Sequence, residues 1–211
     1  MLNEPKYSPI EELANTVTHG LGLMFSIVAL IMLLNYSLPE KDNIKTLSFA
    51  IYGCSLVLLF LASTLYHGVS NKNLKQKFKL LDHCAIYILI AGSYTPLMLI
   101  TLKGPLGYGM LLMVWIIAVA GIIFKIVFGH KYKKLSLMTY LGMGFISLGI
   151  INQLYRSLTS EGLMLLISGG AIYTLGVVFY MSKTIPYNHA IWHLFVLAGA
   201  GCHFFMIYFY L

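Results

Sequence analysis

The sequence predicts an all-α fold: a seven-transmembrane helix bundle, N-terminus cytoplasmic and C-terminus extracellular. Four observations carry this expectation. Hydrophobic residues make up 59% of the 211-residue chain and charged residues only 10%, against about 25% charged in soluble proteins. Mean hydropathy is +0.81, an apolar excess that overfills a single water-facing core. Seven windows of about 20 mostly apolar residues, the length a helix needs to cross a bilayer, follow one another. The basic residues, finally, are unequally shared between alternate loops.

Taken in order, the windows cover 16–38, 46–68, 80–102, 106–128, 135–154, 163–182 and 188–211. A net acidic stretch with Glu4, Lys6, Glu11 and Glu12 precedes the first. Lacking a basic n-region and a small-residue cleavage site, it is no secretory signal, so residues 1–15 read as a cytoplasmic N-terminal segment and 16–211 as the transmembrane domain. Polar or Gly/Pro punctuation separates the rest: 39–45, the lysine-bearing 69–79, a very tight 103–105, 129–134, 155–162 and 183–187. Gly142, Gly144 and Gly149 in the fifth window predict close helix packing. Tyr and Phe gather near span ends, as an aromatic belt does, and no inverted repeat of the transporter kind is visible.

Counting basic residues by side gives ten with the N-terminus and the even-numbered loops: Lys6, Lys72, Lys75, Lys77, Lys79, Lys125, Lys131, Lys133, Lys134 and Lys183. The odd-numbered loops hold four: Lys41, Lys45, Lys103 and Arg156. The positive-inside rule then sets the orientation and a multi-pass place in the cell (plasma) membrane. The formal charge of +7 belongs to this surface pattern and not to a nucleic-acid interface. Cys54, Cys84 and Cys202 sit singly in apolar runs, without a CxxC pair; they read as small buried hydrophobes, not as disulfides or thiolate ligands.

Ionisable groups inside spans mark function by default. Of the seven acidic residues only Asp82 falls in a window. The predicted orientation brings His67 at the end of the second span, Asp82 and His189/His193 at the starts of the third and seventh, and His19 at the start of the first to one level of the inner leaflet. His189 and His193 are four apart, sharing a face with about 40° of drift and roughly 6 Å of rise. Two imidazoles so placed suit one metal, although no Glu lies between them as in HExxH. A third histidine from another helix, with one open position, would describe catalytic zinc. Ser63 and His67 repeat the four-residue spacing. Blander readings stand beside these: interfacial histidines, an Asp82–Lys79 bridge, and a capping or helix-tying network for His19 with Glu12 and Asn15. His83 points about 100° from Asp82 and reads as a packing residue; His203 lies about 15 Å deeper than His193, where a buried hydrogen bond is its role.

The ordered set Glu12-x-x-Asn15-x-x-Thr18-His19, Ser63-x-x-x-His67, Leu81-Asp82, Gly92-Ser93-Tyr94-Thr95-Pro96, His189-x-x-x-His193 and His203 resembles the progestin and adiponectin receptor family, most closely its bacterial hemolysin III branch, over essentially the whole chain. The resemblance implies a zinc ion held by His67, His189 and His193, with Asp82 acting through the metal's water and Ser63 nearby. A short N-terminus and no large extracellular loop depart from the receptor branch and argue against a protein-hormone ligand.

A zinc site within a bilayer points to membrane lipids as partners and to a lipid-like substrate or ligand. The leading expectation is a zinc-dependent lipid amide or ester hydrolase, ceramidase-like, with Asp82 as general base and His19 or Ser63 assisting the tetrahedral intermediate. The alternatives are a membrane-homeostasis regulator or receptor-like sensor with structural zinc, and a pore-forming haemolysin causing cytolysis. No span carries a polar stripe through its outer half, which speaks against a wide pore, and nothing in the sequence specifies an oligomer. The seventh span has no Lys for a retinal Schiff base, and a lone carboxylate near one end does not support ion pumping.

Overall fold

The computed structural model describes residues 7–129 and 131–211; His130, read above as a loop residue, and residues 1–6, with Lys6 and Glu4, lie outside them. Among the described residues there is no strand, and seven helices are long and apolar enough to cross a membrane. The first spans Pro9–Glu40, the second Asn43–Gly68, the third Lys72–Thr101, the fourth Pro105–Phe128, the fifth Lys133–Ser157, the sixth Ser160–Met181 and the seventh Asn188–Tyr210. They pack in chain order, first on second, second on third, third on fourth, and the first also packs on the seventh.

The first three helices start where capping chemistry, not hydropathy, sets them. The first begins at Pro9, seven residues before its apolar window, because Ser8 and Glu11 form a reciprocal capping box. Such a box satisfies two amide donors that the helix itself leaves orphaned. Glu12 and Asn15 are therefore helical. Asp42 caps the second helix through the amides of Ile44 and Lys45, and these hydrogen bonds hold its carboxyl below its ordinary pKa. Asn71 caps the third at the same kind of position, so that helix opens with the lysine-rich turn expected to be a loop.

The second and third helices are the most enclosed, with 56% and 61% of their central windows buried, followed by the seventh at 44%; the other four reach 28% at most. Phe49, Tyr52, Phe60, Tyr87 and Met98 fill the core between them. Gly142, Gly144 and Gly149 do not pack closely: a Cβ on any of them would meet nothing within 4 Å. They lie at and beside a 3-10 stretch, Ile146–Ile150, that interrupts the fifth helix. Cys54, likewise, faces outward instead of into the core.

Close packing falls elsewhere. The ring of Phe60 occupies the space a Cβ on Gly22 would need, and Gly107 abuts the carbonyl oxygens of Met98 and Leu102 where the third helix ends. Backbone cannot yield as a side chain can. Gly107→Ala is expected to destabilise the protein by about 1–3 kcal/mol through overpacking, while Gly109→Ala, facing open space, should be neutral or slightly stabilising. Thermal unfolding of both variants in detergent checks the contrast.

Candidate metal centre

The seventh helix starts immediately after Tyr187, whose left-handed backbone (φ 54°) turns the chain into it. His189 and His193 then project one turn apart. The second helix ends at Gly68, which sets His67 at the same end of the bundle. Each of the three histidines offers a ring nitrogen, and these atoms lie within 4.8 Å of one another. Ring centroids are 5.0 Å apart for His67–His189, 5.1 Å for His67–His193 and 4.5 Å for His189–His193. Among the described residues no other trio of His, Cys, Asp or Glu converges in this way. His67 and His193 are 3% and 1% exposed, and His189 is half-buried beside them.

Two of the rings have their orientation fixed by partners that can only accept. The Nδ1 of His67 lies 2.6 Å from Glu12 Oε2, so Nδ1–H donates and Nε2 keeps its lone pair; that Nε2 is buried and has no hydrogen-bond partner. The Nδ1 of His193 lies 3.2 Å from the carbonyl oxygen of Asn15 and 3.1 Å from Thr18 Oγ1. A carbonyl must receive a proton, which again leaves Nε2 as the unprotonated nitrogen. The third ring, His189, has a buried and unpartnered Nδ1 and stacks on Tyr7 at 5.2 Å.

All of these orienting groups belong to the first helix. Glu12, Asn15, Thr18 and His19 recur at three- and four-residue spacing and so share one face. The other oxygen of Glu12 accepts from Lys75 Nζ at 3.0 Å, and the Asn15 side-chain amide lies 3.4 Å from His67 Nδ1. Glu11 Oε1 accepts from the amide of Tyr187 at 3.3 Å, tying this helix to the turn before the seventh. The hydropathy windows leave Glu12 outside the membrane-spanning helix, and nothing in them points to its place against His67. Ser8-x-x-Glu11 was the available signal, since a capping box there carries the helix through residue 12.

His19 is 4% exposed and stacks on His193 with centroids 3.5 Å apart. Both its ring nitrogens are buried and unpartnered, yet it does not join the converging trio. Asp82 stands apart from the trio too. Its carboxylate has Ser63 and Lys79 as neighbours and lies 3.7 Å from His83 Nδ1, which itself donates to Lys79 O at 2.7 Å. His203 is remote: its Nε2 donates to Leu166 O at 3.3 Å.

The family model described as haemolysin-III related matches residues 7–204. Hemolysin-3 of Bacillus cereus is 46% identical over 200 residues, covering 95% of this chain and 91% of that protein. The Hemolysin-3 homolog of Bacillus subtilis is 45% identical over 200 residues, 95% of this chain and 94% of its own length. The human monocyte to macrophage differentiation factor is 37% identical over 216 residues, 98% of this chain and 87% of that relative.

Proposed function

This chain belongs to the haemolysin-III-related family and is a multi-pass protein of the cell membrane; from that premise we propose that His67, His189 and His193 hold a zinc ion near the cytoplasmic face, and that the site hydrolyses lipid amide or ester bonds. One observation carries the reading. Two rings donate Nδ1–H to acceptor-only partners, a carboxylate and a carbonyl, as metal-bound histidines do, and the three rings converge. The unpartnered Nε2 of His67 fits a ligand in want of a cation. Three imidazoles without a thiolate suit zinc. The lysine count supports the cytoplasmic side, because Lys72, Lys75, Lys77 and Lys79 open the third helix at the histidine end.

When bound, zinc supplies a Lewis acid for a carbonyl oxygen and acidifies a water molecule. The remaining work falls to side chains. Asp82 accepts the proton of the attacking water at its carboxylate and returns it to the departing amine or alcohol, completing cleavage of the acyl bond. Ser63 orients that carboxylate. His19, with neither nitrogen committed, donates an N–H to the substrate carbonyl oxygen. Substrates reach such a site from the bilayer, where the available carbonyls are lipid amides and esters.

The test is release of fatty acid from long-chain ceramides and phospholipid esters by detergent-purified protein. Release abolished by a chelator and restored by added zinc supports hydrolysis. Bound zinc without release from any lipid would favour a structural metal in a regulator, and dye leakage from protein-bearing liposomes would favour a pore. Glu12→Gln is a separate expectation: by weakening the hold on His67 it should lower zinc affinity about 10–100-fold, read by competition with a chromogenic chelator. Unchanged affinity would remove Glu12 from the metal's support.

A further inference from the structure

At the end of the bundle away from the histidines, a groove of 510 Å³ runs between the third-to-fourth helix turn and the last turn of the fifth helix. Its shape has a local cause. Beyond Pro96 the third helix widens into a π-turn, Leu97–Thr101, and Gly104, at φ +111°, swings the chain into the fourth helix. Opposite, the 3-10 stretch Ile146–Ile150 is followed by a helical turn that presents Gln153, Arg156 and Ser157. Lys103 faces them from the other wall.

Two cations, one from the turn between the third and fourth helices and one from the fifth helix, thus line one groove that contains no carboxylate. Asp42, whose carboxylate feels the charge of Lys103, lies outside it and is committed to the amides of Ile44 and Lys45. Thr101, in the wall, has a buried hydroxyl with no hydrogen-bond partner. A lysine, an arginine, an amide and two hydroxyls call for a small anion with several acceptor oxygens; an arginine fork meets such oxygens in pairs. Ile100, Leu102 and Leu106 make the rest of the lining apolar, which a free inorganic ion does not require and an acyl chain does. The position, at the ends of membrane-spanning helices, is headgroup depth.

We propose that this groove binds the phosphodiester of an anionic phospholipid between Lys103 and Arg156, with an acyl chain against Leu102 and Leu106. The site is independent of the histidine centre and of any reaction there.

Native mass spectrometry of the full chain, in neutral detergent, tests it with phosphatidylglycerol and phosphatidylcholine of matched chains. Phosphatidylglycerol should bind roughly tenfold more tightly, because both lipids offer the same phosphodiester but phosphatidylcholine brings a quaternary ammonium against Lys103 and Arg156. Lys103→Ala/Arg156→Ala should abolish that preference, while Lys41→Ala, which removes an exposed lysine outside the groove lining, should preserve it. Equal binding of the two lipids by the native chain, or a preference that survives the double substitution, would overturn the proposal. Displacement of phosphatidylglycerol by inorganic phosphate at equal concentration would make the free ion the occupant and overturn the lipid assignment.

Discussion

Replacing His189 and His193 together by alanine is expected to take bound zinc from about one equivalent per chain to none, measured by elemental analysis of protein purified without chelators. Two of the three converging nitrogens vanish, and His67 alone cannot retain the ion against buffer. His203→Ala is the matched control, because His203 is half-buried in the same helix but pairs with Leu166 of the sixth. It should keep its zinc. A native chain devoid of zinc would sink the metal reading outright, and with it the hydrolase.

Asp82→Ala is expected to lower lipid hydrolysis by about 10²–10⁴-fold, the usual worth of a general base, with zinc content unchanged. The separation matters because Asp82 stands outside the converging trio. Were zinc lost along with activity, Asp82 would be a ligand, the coordination would be closed, and a structural metal would follow. Lys79→Ala distinguishes the bridge reading: if Asp82 serves chiefly to pair with Lys79, the two substitutions should lower thermal stability alike and spare turnover alike.

Hydropathy was enough to make seven helices legible, and the fourth lies where its window put it, because Lys103–Pro105 leaves little freedom for its start. The first and third windows began late. A window responds to apolar content, whereas Ser8 and Asn71 start those helices by capping amides within acidic or lysine-rich turns. Gly142, Gly144 and Gly149 misled, since small residues at helical spacing mark a seam only where another helix covers them, and no local pattern reports that. The histidine convergence was readable from alternating span direction and the four-residue repeat of His189 and His193. The contact of Glu12 with His67 was not: it joins residues 55 apart and depends on how the first helix is rotated about its axis.

Holding the three rings near one another and setting their proton positions are tasks assigned to different parts of the chain. The second and seventh helices contribute the converging nitrogens; the first contributes Glu12, the Asn15 carbonyl and Thr18, and no member of the trio. Inserting one residue between Glu12 and Asn15 would rotate Glu12 by about 100° relative to the packed body of its helix, altering the basicity of His67 while leaving every ring in place. Divergent copies of this chain therefore have a route to retune the centre's affinity without changing its coordinating side chains, by sequence drift confined to a single amphipathic face.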